Sequence, residues 1–290
     1  MVEIKFTIEL AYDILHQPAD FIFNVHAAAV PRQVVKQENF QTDPSVAVAM
    51  FSDPFTGNRY ARLRTGPGSL RVCYDAVVDI DHHISSPDSL WEVPVAELPA
   101  DVLTYVYPSR YCESDRLRQT ARSEFGHLTS GYWRVRAIQD WVYRRTRFAS
   151  GSSNSETSAI DTMISQSGVC RDFAHLMIAM CRALNIPARF VTGIDYGADP
   201  IFGPTDFHAY VEVFLSDRWY LFDVSGMAQP AGLIRLGTGR DAADVSFATI
   251  FGSVISMQPY ITVAAIEDIT RGIALPVASS DAISTAGQRR

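Results

Sequence analysis

The chain has 290 residues, 47% of them hydrophobic, and a formal net charge of -7, which is enough apolar material for one large or two ordinary packed domains. That acidity, with no basic run longer than Arg144-Arg145, argues against a nucleic-acid or anionic-membrane partner. No apolar run approaches a membrane span, charge interrupts the N-terminus at Glu3, Lys5 and Glu9, and Cys73, Cys112, Cys170 and Cys181 lack zinc-type pairing, so a cytoplasmic protein with free thiols is expected.

From Val2 to Leu10 apolar and polar residues alternate strictly, the signature of a half-buried strand. Further strands are expected over Phe21 to Ala28, Val34 to Gln41, Val46 to Phe51, Arg59 to Thr65 and Ser69 to Ile80, punctuated by proline and glycine turns. The first 107 residues therefore read as an all-β domain, a sandwich or open barrel. Asp79, Asp81, His82 and His83 form a polar cluster, and alternation places three of them on one strand face, as metal ligands would lie. A strand running out into solvent ends in such residues anyway, and no second ligand group accompanies them, so no metal and no cofactor is expected.

Proline-rich Trp91 to Ser109 reads as the connector into a second unit, where helices take over after Ser114. An amphipathic run from Tyr132 to about Arg147 is expected to cover one flank of a core. Thr157 or Ser158 can cap a short helix that carries Ile160, Met163 and Ile164 and delivers the chain to Gly168. Gly168 lets the backbone turn, and good helix formers follow from Arg171 to Leu184, so Cys170 falls at a helix N-terminus. Unpaired N–H groups and the positive end of the helix dipole favour a thiolate there. Phe173, Ala174, Met177, Met180, Cys181 and Leu184 share its side, while Arg171, His175 and Arg182 fall on the other.

Asn185 is a left-handed cap and Pro187 forbids continuation, so Arg189 to Ile194 is expected as a strand, followed by a flexible polar loop over 195–205. Next, Asp206 to Leu215 and Trp219 to Asp223 form a hairpin if Ser216-Asp217 is its two-residue turn. Leu215 then faces Arg218, Tyr210 faces Asp223, and His208 lies one diagonal from Asp223 on a polar working face. Ala209, Val211, Val213, Tyr220, Phe222 and Val224 make the opposite, core face. Cys170, His208 and Asp223 thus offer a thiol, a base and a carboxylate that orients the base, the arrangement of thiol acyl transfer. The Cys170 N–H is a natural oxyanion donor. Asp172, Asp206, Arg240, Asp241 and Asp244 read as charge-pairing residues, Cys181 as core, and Trp219 either as a screen over Asp223 or as core.

Gly168-Val169-Cys170-Arg171-Asp172-Phe173-Ala174-His175, Asn185-Ile186-Pro187-Ala188-Arg189, Asp206-Phe207-His208-Ala209-Tyr210-Val211-Glu212 and Trp219 to Asp223 resemble, in order and spacing, the transglutaminase-like superfamily. The likeness is to its bacterial members described as cysteine proteases, and it extends to Pro108 to Tyr111, Gly239 to Asp244 and the β-rich N-terminal region. It implies an α+β, papain-related core in which a nucleophile helix packs on an antiparallel sheet, with Cys170 as nucleophile, His208 as base and Asp223 as orienter. The units expected are a β-rich domain over 1–107, a catalytic core over 108–273 and a loosely held Ala/Ser-rich tail over 274–290. Tyr210 stands where many members have tryptophan, and Asn185 where many have glycine. No acidic cluster resembles the calcium sites of animal transglutaminases, so metal independence is expected. The activity implied is hydrolysis of a peptide or protein amide. The alternatives are protein-glutamine crosslinking and a catalytically silent binding module on the same fold.

Overall fold

A computed structural model describes residues 1–198, 201 and 203–288. The alternating N-terminus is strand β1 (Val2–Ile14): Ile4, Phe6, Ile8, Leu10, Tyr12 and Ile14 are buried, while Lys5, Thr7, Glu9, Ala11 and Asp13 lie at least partly outside. Strands β2 (Ala19–Phe23), β3 (Gln33–Asp43), β4 (Val48–Ser52), β5 (Arg59–Thr65), β6 (Gly68–Ile80) and β7 (His83–Ser85) follow. Short 3-10 turns carry the chain through the proline-rich connector to α1 (Arg118–Phe125) and α2 (Tyr132–Arg145). Then come β8 (Arg147–Phe148), α3 (Ala159–Ser165), β9 (Ser167–Gly168), α4 (Cys170–Ala183) and β10 (Ala188–Asp195). The remaining strands are β11 (His208–Leu215), β12 (Arg218–Phe222), β13 (Leu233–Gly239), β14 (Ala248–Phe251), β15 (Val254–Ser256), β16 (Tyr260–Ile266) and β17 (Ala282–Ser284).

Two antiparallel sheets face each other at the N-terminal end. One runs β15-β1-β6-β3, with β16 beside β15 on the same edge of β1, and the other runs β14-β2-β5-β4. Tyr12 packs on Phe21 and Phe23, with ring centroids at 5.3 and 5.9 Å, and joins the layers of a sandwich. A third sheet, β12-β11-β10-β13, carries α4 on one face. The mixed α+β architecture therefore has the expected nucleophile helix on an antiparallel sheet.

Strand pairing cuts across the expected boundaries. Residues 248–266, assigned from sequence to the core, return to the first sheets: β14 pairs with β2, and β15 and β16 pair with β1. They cover edges of β1 and β2 that would otherwise present bare backbone N–H and C=O groups. The 274–290 tail is not loose over 282–286, because β17 pairs with β7 and Ile283 packs in one cluster with Val191, Tyr210, Leu221 and Leu233. Its small residues suit a close approach, and composition alone hides that.

The sandwich is also not separate from the core. Ile194, Ile234 and Leu236 from β10 and β13 belong to the same apolar cluster as Phe6, Phe21 and Tyr74. Along β13, the outermost strand of its sheet, the Gln33 amide bonds both to the Arg235 N–H and to its C=O. Asn58 does the same for Thr238 at 2.8 and 2.9 Å. Side-chain amides of the sandwich thereby satisfy a strand edge that would cost about 1 kcal/mol or more per unpaired group.

Helix α4 departs from the expected two-sided pattern. It is enclosed by α1, α2 and α3 on one side and by β10 and β11 on the other, so His175 and Arg182 are buried along with the apolar stripe. Arg182 is accommodated because its guanidinium donates to the carbonyls of Ala188, Tyr107 and Arg240 and to the Ser109 hydroxyl. Cys181 is a core thiol, and burial pushes its acidity far down.

Candidate active site

Helix α4 begins where the Asp172 carboxylate accepts the Val169 N–H at 2.8 Å, so Cys170 is the first helical residue, with its own N–H free of that cap. Gly168 is required for space rather than for a turn. A Cβ at that position would lie 2.7 Å from the Asp172 Cβ and 2.9 Å from its Oδ2. Arg171 flanks Asp172 as an ion pair at 3.1 Å and donates to the Asn154 carbonyl, tying the 150–155 loop to the helix start. The Tyr111 hydroxyl holds the same loop through the Ser155 carbonyl at 2.6 Å.

The hairpin has the expected register, with Leu215 opposite Arg218 and Val211 opposite Phe222. His208 and Asp223 meet directly: Nε2 lies 3.0 Å from Asp223 Oδ1. Asp223 is itself fixed by the Ser225 N–H, the Ser225 hydroxyl and the Ala228 N–H. Cys170 Sγ lies 4.0 Å from the carbonyl of Phe207, the residue before His208, and Cys170 and His208 line the same cleft. Cys170 and His208 therefore meet at the wall of a cleft of ≈ 550 Å³ that Phe148, Phe190 and Phe207 also line, and Asp223 stands behind the His208 ring.

The polar working face of the hairpin is not open to water. Glu212 is fully buried on it between Arg189 at 2.6 Å and Arg235 at 2.5 Å, and the tail covers Tyr210 and Leu221. Arg189 lies 4.1 Å over the Trp219 ring, which packs on Tyr105 and Phe214. Trp219 thus fills a core and supports an ion pair rather than screening Asp223.

One residue of the site escaped sequence reading. Asp195, the last residue of β10, places Oδ2 3.7 Å from His208 Nδ1 and accepts a hydrogen bond from the Tyr210 hydroxyl on Oδ1. Gly193 faces His208 across the β10-β11 pair, which sets Asp195 beside the ring. Burial pushes the Asp195 carboxyl up to about 7, against the pull of the neighbouring imidazole. For His208, burial alone favours the neutral ring, but Asp195 and Asp223 outweigh it and hold the imidazolium well above the ordinary range. Burial likewise disfavours the Asp223 anion, yet the facing imidazole and its hydrogen bonds keep it below the usual carboxylate range.

Other candidates take structural places. His175 accepts the Ala242 N–H on Nε2 at 3.1 Å and stacks on Tyr111, so it anchors the cleft wall formed by 242–248. Arg240 pairs with Asp244, and Asp241 accepts the Tyr111 and Ala243 N–H groups. Asp206 accepts the N–H of Phe207, whose ring stacks on Phe247 at 4.2 Å. In the sandwich, Asp79 pairs with Lys36, Asp81 with Arg32, and His83 bonds Ser85. Among the described residues no group of three His, Cys, Asp or Glu could hold a metal. Asp199, Pro200 and Phe202 of the expected 195–205 loop lie outside the described residues. Among the described residues no helix is long and apolar enough to cross a membrane.

Comparison with known proteins identifies the family. The family model of the transglutaminase-like superfamily matches residues 118–224, and that of the bacterial transglutaminase N-terminal domain matches residues 2–101. An uncharacterised protein of Mycobacterium leprae is 28% identical over 116 residues, covering 39% of this chain and 42% of that protein. One of Mycobacterium tuberculosis is 30% identical over 123 residues, covering 38% and 39%. The match thus spans about two fifths of the length of these curated relatives. A solved structure of a candidate cysteine protease from Cytophaga hutchinsonii is 36% identical, covers 98% of this chain and 97% of that one, and superposes with a TM-score of 0.90. With two adjacent family models matched and a 36%-identical relative aligned over nearly its whole length, the chain belongs to the transglutaminase-like superfamily, in its bacterial form with the β-rich N-terminal domain.

Proposed function

We propose that this chain is a cysteine-dependent acyl-transfer enzyme that hydrolyses peptide or amide bonds, with Cys170 as nucleophile, His208 as base and Asp223 as orienter. Membership of the superfamily supports cysteine-dependent catalysis in general, and the Cytophaga relative, itself described as a candidate cysteine protease, favours hydrolysis. The observation that carries the reading is the His208 ring, held by Asp223 on Nε2 at 3.0 Å, lining the same cleft as Cys170 at the start of α4.

In acylation the Cys170 Sγ–H proton passes to the His208 ring, and sulfur attacks the amide carbonyl carbon. The carbonyl oxygen becomes an oxyanion that accepts a hydrogen bond from the Cys170 N–H at the helix start. The C–N bond breaks, His208 gives its proton to the departing nitrogen, and a thioester remains. Water then loses a proton to His208, its oxygen attacks the thioester, the C–S bond breaks, the His208 proton returns to the Cys170 sulfur, and the acid product leaves. Asp223 keeps the ring oriented and stabilises its cation in both halves. The cleft, with Phe148, Phe190 and Phe207 in its walls, suits a peptide or protein chain as substrate. We place the enzyme in the cytoplasm, where its four free cysteines stay reduced.

A peptide-amide library incubated with the native enzyme and with Cys170→Ala tests the reading. Amide cleavage that disappears in the variant is expected, and cleavage that survives it contradicts the role of Cys170. Release of ammonia matched by incorporation of a labelled primary amine, in place of acid product, identifies crosslinking instead.

A further inference from the structure

Outside the three residues already discussed, the side chain with the closest hold on the chemistry is Asp195. Its carboxyl is almost wholly buried, yet it lines the cleft beside Cys170 and His208. Among the described residues no guanidinium or ammonium pairs with it: its partners are the Tyr210 hydroxyl on Oδ1 and the His208 ring, 3.7 Å from Oδ2. A buried carboxyl without a guanidinium or ammonium partner is costly, and here it is aimed at the one ring that must carry charge.

We propose that Asp195 is a positioning residue of the site, which faces the Nδ1 edge of His208 while Tyr210 fixes its other oxygen, so that a carboxylate at each ring nitrogen holds the imidazolium beside Cys170. The value of this for catalysis rests on the acyl-transfer reading above; the clasp itself does not. When the thiol proton moves to the ring, the new positive charge forms between two carboxyls instead of one. Because Asp195 and the His208 ring are both buried, their charges meet with little solvent screening. Tyr210 makes the arrangement specific: it is the hairpin residue next but one to His208, its ring packs edge-on against the imidazole with centroids at 4.6 Å, and its hydroxyl reaches across to β10.

The titratable groups facing the ring, among the described residues, are Asp223 from the end of β12, Asp195 from β10, Cys170 from α4 and Tyr210 on β11 itself. Asp195 in turn feels His208 and Asp223. Removing the Asp195 charge leaves burial opposed chiefly by Asp223, so the ring gives up its proton at lower pH.

The test is an NMR titration of the His208 ring in the full chain, assigned by the signal lost in His208→Gln. In the native protein the imidazolium form is expected to persist above neutral pH. Asp195→Asn, which preserves size, is expected to lower the titration midpoint by roughly one to three pH units. Tyr210→Phe, which keeps the carboxylate but removes the donor that favours its ionised form, is expected to lower the midpoint by less and decides the matter should Asp195→Asn not fold. A neutral native ring at pH 7, or a midpoint unchanged in the folded variants, overturns the proposal. Failure of the acyl-transfer reading shows elsewhere, as amide turnover independent of Cys170, and leaves the ring titration unaffected.

Discussion

Asp223 Oδ1 lies 3.0 Å from His208 Nε2, and the same carboxylate receives three further hydrogen bonds from Ser225 and Ala228. The carboxylate is therefore fixed before the ring docks on it, which is what an orienting group requires. Asp223→Asn keeps the shape but removes the charge that stabilises the imidazolium. Amide turnover is expected to fall by roughly a thousandfold or more, with little change in KM. Steady-state kinetics check it, and a loss confined to KM contradicts the orienting role.

The buried Glu212, clasped by Arg189 and Arg235, supports the back of the site. Burial disfavours its anion, but the two guanidinia outweigh that and bring the carboxyl down to about 2. A folded-state value below the ordinary 4.5 means that this contribution to stability is complete above pH 4.5 and is lost as pH falls toward about 2. Glu212→Gln is expected to cost roughly 3 kcal/mol or more at neutral pH, because two buried cations lose their counter-charge. The variant should also show a flatter acid limb in denaturant titrations run at successive pH values.

Gly168 and Asp172 are coupled through space. Gly168→Ala drives a methyl into the Asp172 carboxyl group and is expected to destabilise by about 1 to 3 kcal/mol and to slow alkylation of Cys170. Asp172→Ala alone is expected to cost about 1 kcal/mol through the lost cap. The double variant should be less destabilised than the sum of the two, because the obstructed group is gone. Strict additivity in chemical denaturation contradicts the contact.

Much of this was legible from local chemistry. The Cys170 helix start follows from the helix formers after it, and the hairpin register follows from a two-residue turn that ties Leu215 to Arg218. Those short-range constraints suffice to bring His208 near Asp223. Asp195 was not legible, because a dozen residues separate β10 from β11 and no tight turn fixes their register. The return of 248–266 to the first sheets and the docking of 282–286 were hidden for the same reason: long-range strand pairing leaves no mark on composition. His175 and Arg182 looked exposed because helical periodicity assumes one wet face, whereas α4 has none.

The tail gives a test of that last class. Ile283 is only 5% exposed against Tyr210 and Leu221. Ile283→Ala is expected to destabilise the protein by about 2 kcal/mol or more, measured by thermal or denaturant unfolding. A change near zero is what a loose terminus would give.

The measurement that bears most directly on the site is the rate at which iodoacetamide labels Cys170 across about pH 5 to 8, beside a simple thiol of ordinary acidity. A sulfur that has handed its proton to His208 stays reactive at the acid end of that range, and His208→Gln should abolish the advantage. Labelling of native Cys170 no faster than the simple thiol at every pH would contradict the activated pair and, with it, the enzymatic account.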